Sequence, residues 1–238
     1  MDNKIEIISF ESRQQMAERV ADLVEVHLSR ALLERKTAQL AASGGSTPAG
    51  LYKTLAERDV AWDRVMVPLV DERWVAPGEP GSNETFVRKM LQQNKAQKAQ
   101  IVGLWSDSAS SSDGVDVAAE KLNDAGAELD VAILGMGNDG HTASWFPHAE
   151  GLETALSEED GAIVAAVKAK ESEVTGSHLD RLTMTLGHVK RARCVCLLIT
   201  GDEKKATLQR AIERGPIEEM PVRAILNARP DIWICWAP

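Results

Sequence analysis

The sequence predicts an α/β fold, a mainly parallel sheet flanked by helices on both faces, and three observations lead there. Apolar runs of strand length recur at residues 38–42, 65–70, 131–134, 163–167, 194–199 and 232–236. Between most of them, apolar residues return at helical spacing, and such alternation is the pattern of βαβ units. The loops richest in glycine, hydroxyl and charged residues all follow strands, where ligands of open α/β sheets gather.

Taken in order, residues 11–34 place Met16, Val20, Leu23, Val24, His27, Leu28, Ala31 and Leu32 on one helical face. A strand at 38–42 breaks at Ser43-Gly44-Gly45, and Thr47-Pro48 reads as a helix start, with Thr47 as N-cap and Pro48 at the first helical position. Leu51, Tyr52 and Leu55 form that helix's inner face. The next strand, 65–70, contains Pro68, which cannot donate to a ladder and so predicts an edge or a bulge. It runs into Asp71-Glu72-Arg73, a polar loop at 76–83 and a short helix through Leu91. After a serine-rich surface loop at 106–113, a helix over 113–125 leads to the strand at 131–134. Further helices are predicted near 179–187 and 203–214. No repeat or linker divides the chain, so residues 1–238 read as one domain.

Lys and Arg number 27 against 36 Asp and Glu, a net charge of −9 that argues against general nucleic-acid or anionic-membrane binding. No apolar run approaches the ~20 residues of a membrane helix, and the first residues lack the apolar core of a signal peptide. Cys194, Cys196 and Cys235 sit in apolar runs; an odd number without metal-type spacing reads as reduced core thiols of a cytoplasmic protein. Cys194 and Cys196 are taken to face opposite sides of their strand.

Three loops carry chemistry. In Ser43-Gly44-Gly45-Ser46-Thr47, free backbone N–H groups, small hydroxyls and a following helix make an anion pocket, though no lysine of a Walker A loop follows. Asp71-Glu72-Arg73 ends an apolar strand with three charges, which are costly to shield unless they face a cleft. Arg73 offers a planar fork for phosphate or carboxylate, and Asp71 can orient a cation or a sugar hydroxyl. In Gly135-Met136-Gly137-Asn138-Asp139-Gly140-His141, a tight turn ends on the side chain best suited to take a proton near neutral pH, with Asp139 two residues before it. The run is not read as the Gly-x-Gly-x-x-Gly fingerprint of dinucleotide sites. Lys204, opening a helix after the strand at 194–199, and Arg181, among apolar and hydroxyl residues, supply further cations.

Together these segments, with Ser82-Asn83, Thr142-Ala143-Ser144 and Arg181-Leu182-Thr183-Met184-Thr185, resemble the 6-phosphogluconolactonase family across roughly residues 7–236. The resemblance implies a single Rossmann-like domain and the hydrolysis of 6-phospho-D-glucono-1,5-lactone, without cofactor or metal, in the oxidative pentose phosphate pathway. It implies His141 as base for a water, Asp139 holding its loop, Asp71 in the catalytic set, and Ser43, Gly44, Gly45, Ser46, Thr47, Arg73, Arg181 and Lys204 around phosphate or sugar. The expected partner is that small sugar-phosphate lactone, with no nucleic acid or membrane, and the expected state a monomer or weak homo-oligomer.

The related glucosamine-6-phosphate deaminases are the competing resemblance. They carry Asp-Glu-Tyr where this chain has Asp71-Glu72-Arg73, and a glutamate after the histidine where this chain has Ser144-Trp145-Phe146-Pro147. Both differences favour the lactonase. A silent sugar-phosphate binder on the same fold is the alternative from another class.

Overall fold

The computed structural model describes residues 5–126, 128–159, 161–213 and 215–238. Strand β1 (Ile7–Ser9) is followed by α1 (Arg13–Glu34), β2 (Ala38–Ala41), α2 (Ala49–Leu55), β3 (Val65–Pro68), β4 (Asp71–Arg73) and α3 (Asn83–Leu91). Then come β5 (Gln100–Val102), α4 (Val115–Ala125), β6 (Val131–Gly135), α5 (Leu152–Ala155), β7 (Val164–Lys168), β8 (Asp180–Met184) and α6 (Leu186–Val189). The chain closes with β9 (Cys194–Thr200), α7 (Asp202–Ile212), α8 (Val222–Ala228) and β10 (Trp233–Ala237).

Seven strands form a sheet in the order β1-β10-β9-β6-β2-β3-β5, and every pairing in it is parallel. Successive residues of β2 and of β9 are buried, and successive side chains point to opposite faces, so both faces of the sheet's centre are covered. Helix α1 packs on β2, β6 and β10, α4 on β3 and β5, and α7 on β9. Ser12 caps α1 by accepting from Gln15 N at 3.1 Å, and Met16, Val20, Val24, Leu28 and Ala31 form its buried stripe.

A second, antiparallel sheet, β4-β8-β7, stands beside the first. It explains two departures from the sequence-based expectations. The apolar run at 163–167 becomes β7 of this smaller sheet rather than a strand of the parallel one. The helix expected over 179–187 is β8 followed by the single turn α6. Leu182 and Met184 alternate with Thr183 and Thr185, a period of two, but over too few residues to outweigh the helical spacing of Leu179, Leu182 and Leu186.

Pro68 does not put β3 at an edge, since β3 lies between β2 and β5. The strand instead stops there: the Pro68 carbonyl still accepts from Ala42 N at 2.8 Å, and only an isolated bridge from Leu69 to Ala42 follows. Helix α2 begins at Ala49, one residue later than expected, with Pro48 before it and no side-chain cap. The Thr47 hydroxyl lies 3.4 Å from that of Thr200 instead. Cys194 and Cys196 share one face of β9, as residues two apart on a strand must, with their sulfurs 3.8 Å apart.

Candidate functional site

Because the large sheet is parallel, the loops after β2, β3, β6 and β9 all emerge at one end of it. They meet β4 and β8 around a cleft of about 320 Å³. Ser43, Gly44, Gly45, Ser46, Thr47, Asp71, Arg73, His141, Arg181 and Lys204 all line it. Asp139 stands behind His141 rather than on the wall.

The β6 loop builds a dyad. Gly137 N donates to the His141 carbonyl and Gly140 N to the Gly137 carbonyl, each at 3.0 Å, folding the loop on itself. His141 Nδ1 then lies 2.6 Å from Asp139 Oδ1, which also accepts from His141 N at 3.1 Å. A Cβ on Gly137 would meet both the imidazole and that carboxylate, so the close approach requires glycine. Burial raises the Asp139 pKa, but its bonds to His141 outweigh this and hold it below the ordinary carboxylate value. A carboxylate on Nδ1 fixes the tautomer with its proton there and leaves Nε2 as acceptor.

Gly135, Gly137 and Gly140 do have the Gly-x-Gly-x-x-Gly spacing, contrary to the sequence reading. The structure supplies the missing criterion: no helix opens after Gly140, and residues 142–145 form a turn closed by Trp145 N on the Thr142 carbonyl. That turn is clamped to β8. Ser144 N donates to Thr183 Oγ1 at 3.3 Å and Trp145 Nε1 to the Met184 carbonyl at 2.9 Å, with Ala143 at φ 51°. It returns Phe146 onto the imidazole, ring centroids 4.4 Å apart.

On the other wall, β4 sets Asp71 and Arg73. Asp71 Oδ2 accepts from Ser144 Oγ at 2.7 Å, tying β4 to the histidine loop. Between them Glu72 turns away and accepts from Arg73 N (2.8 Å), Asn83 N (2.7 Å), Glu84 N (2.7 Å) and Ser82 Oγ (3.2 Å), seating β4 on the N-terminus of α3. Burial pushes its pKa up to about 7 against those backbone donors. Asn83 Nδ2 donates to the Asp71 carbonyl at 2.9 Å, and its amide oxygen fills the space a Cβ on Gly44 would need. Ser43 is fixed through its carbonyl, which accepts from the Tyr52 hydroxyl at 2.8 Å. Ser43 Oγ and Arg73 Nε are buried polar atoms without a hydrogen-bond partner among the described residues. Lys204, in the first turn of α7, has its pKa lowered by burial and raised by the charge of Asp139.

Outside the two glycine-rich loops, three wall residues carry no role in the sequence reading: Asn83, Phe146 and Val174. Asn83 had a local signal, the Ser82 cap before it; the other two depend on tertiary turns. Among the described residues, no group of three His, Cys, Asp or Glu side chains could hold a metal, and no helix is long and apolar enough to cross a membrane.

Residues 11–234 match the family described as glucosamine-6-phosphate isomerases/6-phosphogluconolactonase. A 6-phosphogluconolactonase of Rhizobium meliloti is 40% identical over 96% of this chain and 97% of its own. One of Pseudomonas aeruginosa is 35% identical over 95% and 92%. The crystal structure of a 6-phosphogluconolactonase from Shewanella baltica superimposes with a TM-score of 0.91 at 34% identity, covering 99% of this chain and 98% of that one. A monomeric glucosamine-6-phosphate deaminase shares the fold, TM-score 0.79, at 16% identity over 98% and 97%. With the histidine loop, the β4 charges and the glycine-rich β2 loop gathered at one end of this sheet, the chain belongs to the glucosamine-6-phosphate isomerase/6-phosphogluconolactonase family.

Proposed function

We propose that this protein hydrolyses 6-phospho-D-glucono-1,5-lactone to 6-phospho-D-gluconate, by direct attack of a water that His141 activates. The observation that carries the reading is the 2.6 Å Nδ1···Asp139 contact inside a polar cleft, which leaves Nε2 able to take a proton. Full-length relatives named 6-phosphogluconolactonase support the substrate.

The steps balance as follows. Nε2 removes a proton from water as its oxygen bonds to the lactone carbonyl carbon, and the carbonyl oxygen becomes an oxyanion. Collapse of that tetrahedral species breaks the bond to the ring oxygen, which takes the proton back from the imidazolium. Direct attack is preferred to an acyl-enzyme because, among the described residues, no hydroxyl of the Ser43–Thr47 loop is bonded to a base: Ser43 Oγ has no partner, Thr47 Oγ1 lies by Thr200, and Ser144, bonded to Asp71, is fully buried off the wall.

The phosphate is held by the Ser43–Thr47 loop with Arg73 and Lys204. Leaving a buried donor unpaired costs about 1–3 kcal/mol, and an anion between Ser43 Oγ and Arg73 Nε would relieve that cost. Asp71, held by Ser144, accepts a hydrogen bond from a ring hydroxyl in this reading, which its position on the cleft wall supports. The whole chain is read as one such domain, a monomer or weak homo-oligomer acting in the cytoplasm; its buried, unpaired thiols fit a reducing compartment.

The test is hydrolysis of freshly generated 6-phosphogluconolactone in chelator-containing buffer, with spontaneous hydrolysis subtracted. Wild type should accelerate it, and His141→Ala should lose about 10²–10⁴-fold in kcat while still binding 6-phosphogluconate. Equal loss of binding and turnover would remove His141 as base. No acceleration by wild type, with ammonia released from glucosamine 6-phosphate, would move the assignment to the deaminase.

A further inference from the structure

The two arginines of the cleft wall face each other across β4 and β8: Arg73 pairs in register with Arg181. Like charges directly opposite on neighbouring strands repel, so something must distinguish them, and their surroundings do.

Arg181 is 3% exposed and two of its three guanidinium nitrogens are already committed. Nε donates to the His178 carbonyl at 2.6 Å and Nη2 to the Thr175 carbonyl at 3.0 Å, both in the loop that joins β7 to β8. The guanidinium carbon lies 5.2 Å from the centroid of Phe146, whose ring in turn lies against His141. Burial pushes its pKa down to about 10; the charge of Asp71 opposes this, that of Arg73 adds to it, and that of Glu72 opposes it. The group is therefore a cation at neutral pH with carboxylate compensation inside the wall. Arg73 is different. Its Nη1 donates to the Gly81 carbonyl at 2.5 Å, but Nε is buried with no partner among the described residues.

We infer that Arg181 is a positioning residue rather than a phosphate ligand: it holds Phe146 as a plate against the His141 ring and pins the β7–β8 loop, with Val174, as a wall of the cleft. This refines the ligand set expected from the family resemblance. It rests on His141 being the base, since the plate matters to turnover only through that ring. Asp139 restrains the imidazole at Nδ1, and Phe146 restrains its plane; together they set the direction of Nε2. Losing one restraint leaves a correctly composed but misaimed base, and a misplacement near 1 Å can cost about 10²-fold.

The test compares Arg181→Gln, Phe146→Leu and Arg73→Gln on 6-phosphogluconolactone and on unphosphorylated glucono-1,5-lactone, with calorimetric binding of 6-phosphogluconate. Arg181→Gln should lower kcat about 10–10²-fold on both lactones alike, with KM and product affinity changed less than about threefold. Phe146→Leu should show the same pattern, and the double variant should lose little more than the worse single one. Arg73→Gln should instead raise KM for the phosphorylated lactone and weaken product binding. The ¹⁵N spectrum of His141, one tautomer with its proton on Nδ1 in wild type, should become a mixture in Arg181→Gln and Phe146→Leu.

A tenfold or greater loss of product affinity in Arg181→Gln, with kcat kept, would overturn the inference and return Arg181 to the phosphate. If Arg181→Gln does not fold, Phe146→Leu decides: an unaltered tautomer and an unaltered kcat would overturn it. Product binding and the imidazole spectrum need no turnover, so they separate failure of this inference from failure of the lactonase assignment.

Discussion

Gly137 lies against both members of the His141–Asp139 pair, and its backbone lies outside the left-handed region, so an alanine there is conformationally allowed. What the methyl meets is the imidazole and the Asp139 carboxylate. Gly137→Ala should therefore push Nδ1 off Oδ1 and lower kcat by about 10²-fold, with KM for the phosphorylated lactone and the melting temperature nearly unchanged. Steady-state kinetics beside a thermal melt would check it; an unchanged kcat would mean that the dyad's spacing does not limit turnover. At this scale much of the site was legible in the sequence. Glycine, hydroxyl and charged residues after apolar runs name Ser43, Arg73 and His141, because close approach and ligand chemistry restrict which residues can stand there. Phe146 was not legible: five residues beyond His141, it reaches the imidazole only because the turn at 142–145 doubles back with Ala143 left-handed.

Among the elements, β4 is three residues long and cannot hold its place by its own ladder. Glu72 anchors it to the start of α3, and that anchor titrates. Burial raises the carboxyl from an ordinary 4.5 to about 7, overcoming the backbone donors. With the folded value above the unfolded one, the stabilisation is complete below pH 4.5 and is lost as pH rises to 7. Glu72→Gln removes the titration. Urea denaturation at pH 4.5 and pH 7.5 should show wild type losing up to about 3 kcal/mol more than the variant over that interval. An identical change in both proteins would exclude Glu72 as the source. The same small sheet is where sequence reading failed. Amphipathic helices announce themselves by periodicity and long buried strands by an unbroken apolar run, as α1 and β9 do. β8 does not, because it is short and Leu182 stands three residues after Leu179 and four before Leu186 of α6, a spacing that a helix shares.

For the molecule as a whole, the sheet separates stability from chemistry at its two ends. Asp130 precedes β6, at the end away from the cleft, and its side chain is fully buried. It accepts from Gln39 N at 2.8 Å, pairs with Arg35 and lies 3.7 Å from Arg193 Nε. Removing one partner of a buried charged network leaves the others uncompensated. Asp130→Ala should therefore cost about 3 kcal/mol of unfolding free energy while kcat and KM stay at wild-type values; a fall in kcat without a fall in stability would contradict that division. The pairing of β4 with β8 has a consequence for how the protein is made. It joins residues 71–73 to 181–183, closing a loop of about 110 residues whose entropic cost grows as (3/2)RT ln n, roughly 4 kcal/mol. A nascent chain that has emerged only as far as β6 already carries the glycine-rich β2 loop, Arg73 and most of the parallel strands, yet has nothing for β4 to pair with. The wall that β4 and β8 form together is thus completed late in synthesis, after β8 has emerged, and Lys204 on α7 joins the cleft later still.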